Sequence, residues 1–134
     1  MNLQNLSQGN LSESHRFELL HPVTGEGLGA YVSVVSAKSD QAQKFVAKQM
    51  RLAQKQEFEN ARSRKPKIKE LDEIREESVE LAISRIVGWE NIEWGDKKDL
   101  PFTPENARMV LEQCDWIIEQ VLEQSNDLGK FLVS

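Results

Sequence analysis

Thr103-Pro104-Glu105 opens the stretch that most restricts how this 134-residue chain can fold. Threonine is a good N-cap, proline suits the first helical position, and an acid in the first turn meets the positive end of the helix dipole. Beyond it, Ala107, Val110, Leu111, Cys114, Ile117, Ile118, Val121 and Leu122 recur at i, i+3, i+4 spacing without a gap. That periodicity predicts an amphipathic helix over 104–125 whose apolar side must be buried. The rest of the chain has to supply the layer that covers it.

Two further helices are predicted upstream. Ser39 or Asp40 is a suitable N-cap, and Ala42, Phe45, Val46, Leu52 and Ala53 follow at helical spacing. Neither glycine nor proline interrupts the chain before Pro66, so a helix is expected over 40–64, with an outer half poor in apolar residues beyond Phe58. Another fits 69–87, with Leu71, Ile74, Leu81, Ala82, Ile83, Ile86 and Val87 as its buried side and Gly88 as its stop. Before them, Phe17–Leu20 and the β-branched Tyr31–Val35 flank a loop rich in proline and glycine, the pattern of a β-hairpin over 15–36. The fold class is therefore mainly α with an N-terminal β-hairpin, an α+β arrangement with about three main helices. A polar arm over 1–14 precedes a single domain over 15–125, and a short tail over 126–134 follows it.

Composition excludes several classes. With 39% apolar and 29% charged residues the chain is too apolar for full disorder. No apolar run approaches the ~20 residues of a membrane span, so no membrane partner is expected. The polar N-terminus lacks the pattern of a secretory signal. Cys114 is the lone cysteine, which rules out an intrachain disulfide and makes the cytoplasm the expected compartment.

Net charge is −5, and it is sharply segregated. Residues 44–69 carry nine Lys/Arg against two acids, whereas residues 70–134 carry sixteen acids against six Lys/Arg. At 100° per residue Lys44, Lys48, Arg51, Lys55 and Arg62 fall within about 60° of one another, opposite the apolar side of their helix. Like charges at i, i+4 repel by roughly 0.2–0.5 kcal/mol per pair, so the stripe calls for solvation or for an acidic counterpart. The acidic helix over 69–87, in the same chain or in a neighbouring copy, is one such counterpart, and a homo-oligomer fits that arrangement. Nucleic acid fits less well, because aromatic residues are not interleaved with the cations.

No catalytic constellation emerges. Gly25-Glu26-Gly27-Leu28-Gly29 has no following lysine–hydroxyl pair and leads into a strand, so it reads as a hairpin loop and not as a phosphate cradle. His15, His21 and Cys114 lack metal-ligand spacing. The acids Asp72, Glu73, Glu76, Glu77 and Glu80 read as a solvated face. The chain is expected to be no enzyme and to hold no cofactor and no metal. What remains are surface residues suited to partners: Trp94 beside a charged loop, Phe58, and the cations Lys44, Lys48, Arg51, Lys55 and Arg62.

The ordered combination of Phe17, Leu20-His21-Pro22-Val23-Thr24-Gly25, then Gly88-Trp89-Glu90-Asn91-Ile92, then Leu100-Pro101-Phe102-Thr103-Pro104-Glu105-Asn106-Ala107 resembles the tail assembly chaperones of long-tailed bacteriophages. The resemblance spans roughly residues 17–131 and departs in the loop Trp94–Asp99, which is longer and more charged. It implies a small helical protein of the infected bacterial cytoplasm that holds the tape measure protein soluble and recruits tail tube protein without chemistry. The rival readings are a structural tail connector and a nucleic-acid-binding regulator using the basic helix over 44–69.

Overall fold

The computed structural model describes residues 2–6, 11–65 and 68–132. The expected arm over 1–14 and tail over 126–134 lie partly outside those residues. Strand β1 (His15–Leu20) pairs antiparallel with β2 (Gly27–Val34), and β2 pairs antiparallel with β3 (Ile86–Glu90), giving one three-stranded sheet in the order β1-β2-β3. Four α-helices complete the fold: α1 (Asp40–Arg62), α2 (Leu71–Arg85), α3 (Pro104–Gln113) and α4 (Trp116–Asn126). The class is α+β and mostly helical, with a count of four helices that corrects the expected three.

The extra helix arises inside the stripe of eight. Cys114 leaves helical geometry at φ −121°, ψ 66°, and α4 restarts with Ile117 and Ile118 donating to the carbonyls of Cys114 and Asp115. Two packing demands pull the stripe apart: α3 leans on α2, while α4 also reaches β1 and β2. One straight rod cannot serve both. The second correction concerns the end of α2. Ile86 and Val87 belong to β3, and Gly88 is a strand residue opposite Ser33, not a helix stop. β-branched side chains favour a pleated, half-buried surface, and the free edge of β2 offers one. The expected buried side of α2 shifts accordingly, since Leu71, Ile74 and Val87 are exposed and Val79, Ala82 and Arg85 are buried.

The hairpin loop is closed by its histidine. The Nδ1 of His21 accepts from the amides of Val23 and Thr24, and Gly25 turns the chain at φ 76°. The core lies between the inner face of the sheet (Phe17, Leu19, Val32, Val34) and the helices, where Val79, Val110, Leu111, Ile117 and Val121 meet it. Each such side chain is worth roughly 1.5–3 kcal/mol when fully buried.

One buried polar hub ties three elements together. The Ser125 hydroxyl donates to the Val35 carbonyl at 2.7 Å and accepts from Arg85 Nη1 at 3.0 Å, while the same nitrogen reaches Asn126 Oδ1 at 3.1 Å. Burial pushes the Arg85 pKa below the usual arginine range. Immediately beyond this hub α1 departs, capped by Ser39, whose hydroxyl accepts from the Ala42 amide.

Candidate functional site

Helix α1 is 23 residues long, yet Ala42 is its only buried residue. Its hold on α2 is thin: Phe45 and Val46 are half-buried near its base, and farther out Gln49, Leu52, Ala53 and Gln56 face Lys69, Glu73 and Glu77 across a shallow cleft of about 160 Å³. The cations Lys44, Lys48, Arg51, Lys55 and Arg62 are all exposed on the other side. Among the described residues none of the five takes part in an ion pair. The acids of α2 therefore do not neutralise this face within the chain.

Phe58 sits on the edge of the cationic stripe at 62% exposure, with Arg62 stacked 5.3 Å from its ring centroid. That distance is within cation–π reach. Met50 and Leu52 are also exposed along the same helix. Six of the seven expected partner-binding residues thus share one helix, five as a cationic row and one as an aromatic beside it.

Trp94 lies elsewhere. Its backbone pairs with Lys97 in a tight turn in which Gly95 adopts φ 60°. The indole is half-buried against the core and lines a cavity of about 510 Å³ with Leu19, Ala30, Val110, Cys114 and Trp116. No residue of α1 borders that cavity. Trp89 is a second anchor of this region: its indole N–H donates to the Leu100 carbonyl at 2.7 Å, and its ring meets Phe102 edge-on at 5.1 Å. Burial, aided by Asp115, raises the pKa of the Cys114 thiol.

A second surface lies on the far side of α2, between it and the α3–α4 pair. This groove, about 720 Å³, has an apolar floor of Val79, Leu111 and Ile118. Its rim is acidic, with Asp72, Glu76, Glu112, Asp115 and Glu119 against the single cation Arg75. Near its end Arg108 of α3 bridges back to Glu80 and Glu76 of α2. The hydrogen bond to Glu80 and the charges of Glu80, Glu76 and Glu112 raise the Arg108 pKa, outweighing desolvation. Sequence reasoning passed over this groove. Its trace was the run of acids at 112, 115 and 119, spaced by three and four and flanking the apolar stripe.

No helix among the described residues is long and apolar enough to cross a membrane, and no group of three or more His, Cys, Asp or Glu there could hold a metal. Residues 35–132, which begin just after β2, match the family model described as YdaY prophage protein. The chain belongs to the YdaY prophage protein family. The match takes in both surfaces, α1 with its cationic row and the acidic groove, and leaves out β1 and β2. No curated protein and no solved structure matches the chain.

Proposed function

We propose that this prophage protein is a non-enzymatic tail assembly chaperone, acting in the cytoplasm of the bacterial host by lending surface to the tape measure protein and to tail tube subunits. The observation that carries this reading is α1, a 23-residue helix that buries only Ala42 and presents cations, Phe58, Met50 and Leu52 to its surroundings. A helix so weakly held by its own chain is best explained by a partner that completes its packing. The groove between α2 and α3–α4 adds a helix-sized apolar seat with a charged rim, the geometry of helix-in-groove recognition. Membership of a prophage family and the resemblance of the Gly88-Trp89 and Pro101–Ala107 segments to tail assembly chaperones supply the client class.

Co-expression with the tape measure protein of the same prophage tests the reading. The client is expected to move into the soluble fraction and to copurify, and the double variant M50A/F58A is expected to lose most of that effect. Unchanged precipitation of the client beside the intact chain contradicts the proposal. Recovery of the protein in purified phage particles would favour the connector reading instead.

A further inference from the structure

We infer that the acidic groove of one copy receives the basic face of α1 from a second copy, so that two chains exchange their α1 helices in a reciprocal dimer. Neither surface is fully neutralised at home: Arg108 reaches the groove only at its Glu76 end, leaving its rim net acidic. Lys44, Lys48, Arg51 and Lys55 stand three or four residues apart, like charges on one face, and no acid of the described chain pairs with them. The groove carries the opposite sign along its rim and an apolar floor beneath it.

The dimensions agree. The cations from Lys44 to Lys55 span about 16 Å of helix, and α2, which forms one wall of the groove, is about 22 Å long. Phe58 continues that row by one further turn, and the exposed Ile74 on the groove wall is the apolar side chain open to it. The exchange is self-complementary: each copy offers one basic helix and one acidic seat, as a two-fold interface requires. The two surfaces lie on opposite sides of α2, since α1 borders Glu73 and Glu77 whereas the groove borders Asp72 and Val79. A chain therefore cannot fill its own groove without unfolding its helical hairpin. The dimer occupies the two surfaces proposed above for the client, so client binding would have to displace the second copy; the test of the dimer uses the chain alone and stands whatever the client.

Charge reversal on exposed positions separates the outcomes. K48E/K55E makes α1 acidic and leaves the groove unchanged; E112K/E119K makes the groove basic and leaves α1 unchanged. By sedimentation velocity at low salt, the unaltered chain is expected to dimerise. Each variant alone should keep its helical circular dichroism and show a dimer Kd weakened at least about tenfold. Mixing the two variants in equal amounts should restore the dimer, because the acidic α1 then meets the basic groove and the native α1 meets the native groove. Raising salt from about 0.1 M to 1 M shortens the screening length from about 10 Å to 3 Å and should dissociate the unaltered dimer. A monomeric unaltered chain at low salt overturns the inference. So does a dimer that neither reversal weakens, or a pair of helical variants that stays monomeric on mixing. Salt-sensitive binding of the monomer to random duplex DNA would assign the cationic face to nucleic acid instead.

Discussion

Helix α1 and the α3–α4 pair have similar lengths and equally clear helical periodicity, yet they are held in opposite ways. The pair buries Ala107, Val110, Leu111, Ile117, Ile118, Val121 and Ser125. Helix α1 buries Ala42 and meets α2 through glutamines, an alanine and the rim of Leu52. Periodicity alone does not decide whether a helix belongs to the core; the volume and hydrophobicity of the inward positions do. Valine, leucine and isoleucine at those positions make α3–α4 the wall of the core, whereas alanine and glutamine leave α1 an outrigger. The helix least enclosed by its own chain is therefore the one the proposed function assigns to a partner.

Core truncation should break the symmetry between the two regions most strongly. Leu111→Ala is expected to lower unfolding stability by about 2–5 kcal/mol, because Leu111 is almost wholly enclosed. Leu52→Ala, the matched change on α1, should stay within about 0.5 kcal/mol. Urea titrations followed by circular dichroism check both, and equal losses would refute the contrast. A smaller effect belongs to the hub from which α1 departs. Ser125→Ala removes a donor to the Val35 carbonyl and one of the two acceptors of Arg85 Nη1, which keeps only Asn126, and should cost about 1–3 kcal/mol in the same titration.

Much of this contrast could be read from the chain itself. Ser39 as a cap and the absence of glycine and proline up to Pro66 point to a helix over 40–64, and α1 occupies Asp40–Arg62. The shortage of apolar residues beyond Phe58 marked its outer half as poorly packed. Thr103-Pro104 likewise marks the start of α3. Three features were hidden. The break at Cys114 carries no glycine or proline and arises from two neighbours competing for one stripe, which is a tertiary effect. Strand β3 was concealed because Ile86 and Val87 extend the apolar spacing of α2, and Gly88 mimics a helix stop. The groove itself could not be seen either, since it forms only when α2 and the α3–α4 pair come together and bring Asp72 and Glu119 to one rim.

The smallest expected effect is chemical. Burial raises the Cys114 pKa, so its thiolate is scarcer at any given pH than that of an exposed cysteine. Thiol labelling of the folded chain should be slower than that of the urea-unfolded chain near neutrality. Its rate should rise at higher pH than that of the unfolded chain. A folded-state pH profile superimposed on the unfolded one would place Cys114 outside the packed wall.

Native-state amide hydrogen exchange, followed residue by residue at low and high protein concentration, reads the weak hold on α1 most directly. In dilute solution the amides from Met50 to Arg62 should exchange through cheap local opening, while those of Val110 and Val121 exchange near the global limit. Concentrating the protein should slow the first group and leave the second unchanged, as expected of a helix that finds its packing on another molecule. Protection in α1 equal to that of α4 at every concentration would contradict the account.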